Sequence, residues 1–97
     1  MTVHHMVLLE FDGKLSDPGV GQMFGAIVRL LKQIPGVVDV QWGRNFASRA
    51  SSVTHAAIVT LKDRQSLAGY GPHPNHVEVQ QILKPHLKSL SVVDIET

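Results

Sequence analysis

The chain has no cysteine among its 97 residues. That excludes disulfides, thiolate nucleophiles and cysteine-based zinc sites. It has no concentration of charge. Nine Lys and Arg stand against eight Asp and Glu, a net +1 with His neutral. No stretch gathers basic residues into the electrostatic footprint that a nucleic-acid partner requires, so none is expected. It has no long hydrophobic run. The opening V-H-H-M-V-L-L-E-F is too short to span a bilayer and carries Glu10. It also lacks the basic start and small-residue cleavage site of a signal peptide. No membrane partner is expected, and the expected location is cytoplasmic.

What remains is an ordinary folding composition, 43% hydrophobic and 18% charged. The length suits one small domain with a real but thin core, and no linker or low-complexity segment interrupts it. Residues 1–97 are read as a single domain. The anomaly is six histidines in so short a chain, since His is the side chain that titrates near neutrality.

Residues 3–11 alternate as a strand, with His5, Val7, Leu9 and Phe11 on one face and His4, Met6, Leu8 and Glu10 on the other. Ser16 or Asp17 can cap a helix whose first turn carries Pro18. Val20, Met23, Phe24, Ile27 and Ile34 give that helix an apolar stripe, and Pro35-Gly36 ends it. Residues 37–46 read as a second strand with Val38, Val40 and Trp42 toward the core. V-T-H-A-A-I-V-T-L reads as a third, with His55, Ala57, Val59 and Leu61 on one face. Asp63 caps a short helix ending near Gly69, a second helical stretch runs from Val77 toward Pro85, and residues 89–95 make a last strand with Leu90, Val92 and Asp94 on one face.

The order is βαββαβ, which predicts an α+β, ferredoxin-like domain: a four-stranded antiparallel sheet with helices on one face. The other face would carry Met6, Leu8, Ile58, Val93 and Ile95. It is too apolar to be left in water, so a homodimer packed sheet to sheet is expected. In this topology the first and third strands are antiparallel neighbours, so His5 and His55 should lie at opposite ends. His5 should instead meet Asp94 on the fourth strand, as an oriented imidazole or as a satisfied buried polar group.

Tyr70 and His76 close the unusual stretch Y-G-P-H-P-N-H. The prolines make it stiff, since each fixes φ near −65°. It reads as a rigid connector with Tyr70 packed, or as a loop aiming both side chains at one pocket. His73 and His76 are three apart, but Pro74 intervenes and no third ligand is near, so no metal site is expected. His73 is expected to bond backbone in the turn. His4 and His86 are expected at the surface or an interface.

Four segments in order resemble one family: V-H-H-M-V-L-L-E-F, I-P-G-V-V-D-V-Q-W-G, V-T-H-A-A-I-V-T-L and Y-G-P-H-P-N-H-V. They are similar to the stress-responsive A/B barrel, or dimeric α+β barrel (Dabb), proteins, and the resemblance covers essentially the whole chain. It implies the ferredoxin-like fold and a dimer. It also implies a reaction, since a plant polyketide cyclase of the family closes its substrate by intramolecular aldol condensation without metal or organic cofactor. By that resemblance the catalytic candidates are Tyr70 and His76, with His5, His55 and Asp94 as further polar groups. His76 would act as base and Tyr70 as oxyanion donor.

Leu9, Phe24, Ile27, Val40, Trp42 and Val59 lie between sheet and helices. They are either plain core or the lining of a pocket for a hydrophobic, polyketide-like substrate. Ile27 stands where the cyclase has Tyr, and E-V-Q-Q after His76 replaces a small, glycine-containing stretch. The alternative is a non-catalytic stress-responsive protein that binds a small ligand or is structural. A third reading, a monooxygenase-like relative, finds no haem-ligation motif here.

Overall fold

A computed structural model describes residues 1–48 and 51–97. The order is β1 (Val3–Phe11), α1 (Asp17–Lys32), β2 (Val37–Arg44), β3 (His55–Leu61), α2 (Arg64–Tyr70), α3 (Pro74–Leu83) and β4 (Leu87–Glu96). A 3-10 turn at Lys84–His86 joins α3 to β4. The strands form one antiparallel sheet in the order β2-β3-β1-β4, the expected ferredoxin-like arrangement.

α1 starts where its cap requires. The Ser16 hydroxyl accepts from the Gly19 N–H at 3.1 Å, and Pro18 sits in the first turn. Val20, Phe24, Ile27 and Leu31 form the buried stripe. Gly36 then turns the chain with φ +87°, and a side chain there would run into Ser66 of α2. The turn therefore needs glycine for both conformation and space.

Between the helices and the sheet lie Val3, Leu9 and Phe11 of β1, Val59 and Leu61 of β3, and Val40 of β2, all buried. Val38 departs from the expectation. It is 66% exposed, while Val37 pairs with Leu61 and packs on the core. The register shifts between Val37 and Asp39, and such a bulge turns one residue away from its alternating partner. Beyond the bulge Val40 and Trp42 regain the expected face, opposite Val59 and Ala57.

No helix among the described residues is long and apolar enough to cross a membrane.

Candidate active site

The Tyr70–His76 stretch is pinned at three points. Asp63 starts α2 by accepting from the Ser66 N–H at 2.8 Å and from its hydroxyl at 2.7 Å. The helix runs to Tyr70, its last residue. His73 is the cap of α3, its Nδ1 accepting from the Asn75 N–H at 3.0 Å. This is the backbone bond expected of His73. Asn75 then ties the turn to α1, its Nδ2 donating to the Leu30 carbonyl at 2.9 Å. Sequence reading passed over Asn75, because its partner is set by how the helices pack and nothing local signals it.

The result is a cluster around Tyr70. The His76 ring lies 4.6 Å from the Tyr70 ring and the His5 ring 5.3 Å from it, centroid to centroid. A carbonyl can only accept, so the 2.8 Å contact of His76 Nδ1 with the Gly71 oxygen makes Nδ1–H the donor. The lone pair of the neutral imidazole is thereby placed on Nε2. On the other side of Tyr70, His5 Nδ1 donates to Asp94 Oδ1 at 2.5 Å. The sheet register puts these two residues directly opposite each other on β1 and β4, as strand parity requires.

Tyr70 itself is 3% exposed. Burial, and secondarily the Asp94 charge, push its pKa up to about 12. At neutral pH it is therefore an O–H donor and not a base. The cluster's side-chain hydrogen bonds run from His76 to Gly71 and from His5 to Asp94, and neither uses the Tyr70 hydroxyl. Asp94 also lines a cleft of about 280 Å³ between α2 and β4, with Arg64, Leu67 and Ile95. An ion pair from exposed Arg64 to half-buried Glu96, at 2.9 Å, borders that cleft. The cluster thus meets solvent on its Asp94 side.

His55 does not join the cluster. His55 pairs with Leu9 and His5 pairs with Val59, four residues apart on each strand. At roughly 3.3 Å per residue that is about 13 Å along the sheet. His55 instead sits against Phe11, ring centroids 5.0 Å apart, and lines a separate cleft of about 430 Å³ with Asp17, Arg44 and His86. The Thr54 hydroxyl donates to the Leu9 carbonyl at 3.3 Å, so it accepts from His55 Nδ1–H at 2.9 Å.

Burial, and then the Arg44 charge, lower the His55 pKa below the usual 6.5. The unfolded chain thus binds more protons than the folded one as pH falls through 6.5 toward the lowered value. Stability should fall across that window and be regained as pH rises. Urea melts between pH 5 and 7 should show this slope in the native chain, and His55→Gln should flatten it.

The expected lining is largely core. Leu9, Phe24, Ile27, Val40 and Val59 are all buried and packed into one hydrophobic cluster. Of the six, only Trp42 borders one of the clefts, and its ring is stacked on Phe24 at 4.4 Å. Four clefts of about 280 to 680 Å³ take no lining from Tyr70 or His76. His4 is half-buried on the open sheet face, its Nε2 3.0 Å from the Thr97 hydroxyl. No cluster of three or more potential metal ligands occurs among the described residues.

Residues 3–97 match the model of a family described as the stress responsive A/B barrel domain. The chain is 26% identical over 96 residues to olivetolic acid cyclase of Cannabis sativa, covering 97% of this chain and 95% of that one. Solved structures share its fold, among them the following two. A dimeric ferredoxin-like protein of unknown function from Thermobifida fusca superposes with a TM-score of 0.84 at 22% identity, covering 100% of this chain and 92% of that one. Hydroxynitrile lyase from Passiflora edulis superposes with a TM-score of 0.83 at 20% identity, covering 97% and 91%.

Proposed function

The chain belongs to the stress responsive A/B barrel family, and from that membership and the Tyr70 cluster we propose a cofactor-free enzyme of the cyclase or lyase type. Its reaction is an intramolecular aldol closure of a small, hydrophobic β-keto substrate. His76 Nε2 takes the proton next to a carbonyl, the lone pair being held there by the Nδ1–H bond to Gly71. The enolate carbon attacks a second carbonyl of the same molecule. The Tyr70 hydroxyl donates to the oxyanion that forms, and its raised pKa keeps that proton in place. His76 returns its proton to the aldolate, and loss of water gives the phenolic ring. The His5–Asp94 pair flanks Tyr70 and fixes the polar wall.

The observation that carries the reading is the convergence of three elements on one tyrosine whose hydroxyl the flanking imidazoles leave free. The similarity to a relative named as a cyclase supports it. His55 is not placed in this machinery, and Leu9, Phe24, Ile27, Val40 and Val59 are packed core in it, not lining. The working unit is read as a homodimer joined through the open sheet face. That face carries Met6, Leu8, Ile58, Val93 and Ile95, and the Thermobifida fusca neighbour is described as dimeric.

A second reading, small-ligand binding or a structural role without turnover, is favoured by one observation. Tyr70 is almost fully buried and lines none of the four clefts. The two are separated by incubating the native chain with a panel of linear β-polyketones and following phenolic ring formation by absorbance. Ring closure above the buffer rate supports the enzyme. Saturable binding with no closure on any member supports the second reading.

A further inference from the structure

The largest of the four clefts, about 680 Å³, lies on the open sheet face at the β2–β3 end. Its floor is low because small residues form it. Gly43 pairs with Ala56 across the two strands, and Ala56 pairs in turn with Leu8. A Cβ built on Gly43 would meet no atom within 4 Å. Among the described residues the only charged side chain in the lining is Arg44.

At the rim stands Phe46, 97% exposed. Its backbone is held in place. The Asn45 N–H donates to the Thr54 carbonyl at 2.8 Å and Asn45 Nδ2 to the Val53 carbonyl at 2.9 Å. On the other side of the ring, the Ala47 N–H donates to Asn45 Oδ1 at 2.9 Å. A phenyl ring mounted on a hydrogen-bonded turn and left wholly in water is an unusual surface feature, and it sits beside an apolar hole.

We propose that Phe46 anchors a two-fold dimer, the ring of each copy entering the cleft of the other over Gly43 and Ala56. This rests on the sheet-to-sheet homodimer read above and goes beyond it by naming the contact. A two-fold interface uses the same patch on both copies, so a protruding group and the hole it fills must lie on one patch. Phe46 and the Gly43–Ala56 floor do. The patch is also continuous with the apolar strand face that the dimer covers, through Leu8 and Ile58. An aromatic group entering a small-residue pocket is the usual form of an interface hot spot.

Sedimentation equilibrium over a concentration series tests this with the native chain, Phe46→Ser and Gly43→Leu. Neither substitution disturbs the fold, since Phe46 is exposed and Gly43 faces open space. Circular dichroism checks that. Each variant should raise the dimer Kd by about tenfold or more. If the native chain dimerises and both variants match its Kd, the Phe46 anchor is overturned while the dimer stands. If only Phe46→Ser weakens the dimer, the ring seats elsewhere and the proposed cleft is overturned. If the native chain is monomeric at every concentration, the dimer reading fails and takes the anchor with it. A monomer whose cleft takes up an apolar dye, blocked in Gly43→Leu, would assign the cleft to a small ligand instead.

Discussion

Replacing His76 with alanine is expected to lower kcat for ring closure about 10²–10⁴-fold, the range lost with a general base. The geometry leaves little to take its place. Tyr70 holds its proton, because burial and the nearby Asp94 charge push its pKa up to about 12. Asp94 is already the acceptor of the His5 Nδ1–H. His55 lies on the far side of the core, against Phe11. The one competitor is His5, whose Nε2 is also outside the bond to Asp94 and whose ring lies 5.3 Å from Tyr70. His5→Ala is therefore the control. A larger loss there than in His76→Ala would move the base from α3 to β1. The comparison holds only if both variants keep the native circular dichroism and assembly state.

Phe24→Ala is expected to cost about 3–5 kcal/mol of folding free energy in urea melts, with the midpoint falling and the slope unchanged. Phe24 is 2% exposed, stacked flat on Trp42 at 4.4 Å and edge-on to Phe11 at 6.1 Å. Removing it leaves a hole between α1 and the sheet that such close neighbours cannot fill. The size of the effect matters for function. A Phe24 bordering an open, water-filled pocket would lose far less, since one side of its ring would have no partner atoms to lose. A cost below about 1.5 kcal/mol, well under the normal range for Phe→Ala at a filled site, would return Phe24 to the lining of a pocket.

The parts of the site legible in the sequence are those that strand geometry dictates. His5 and Asp94 meet because alternation gives both the helix-covered face and the topology makes β1 and β4 antiparallel neighbours. The same reasoning separates His5 from His55, and the register bears that out. Grouping His55 with Tyr70 and His76 rests on resemblance alone, and the fold sets His55 four residues along the sheet from His5. His73 is legible as a backbone-bonding histidine, but its place as the cap of α3 is not, since the helix is expected only from Val77 and starts at Pro74.

What could not be read is long-range or volumetric. The bulge that turns Val38 outward follows from pairing with β3 and leaves no local mark. Asn75 finds the Leu30 carbonyl only once α1 and α3 have packed. Whether Leu9, Ile27, Val40 and Val59 enclose a pocket or a solid core is a small difference between large packed volumes, which composition and spacing do not encode.

The central claim is that Tyr70 and His76 act as one unit on one substrate. The most direct measurement is a double-mutant cycle on ring-closure rates with Tyr70→Phe, His76→Ala and the two combined. Groups that serve the same step lose their effects jointly, so the double variant should be no slower than the slower single one, with both singles well below the native chain. Folded single variants that turn over at the native rate, or a double variant whose loss is the product of the two, would contradict the account.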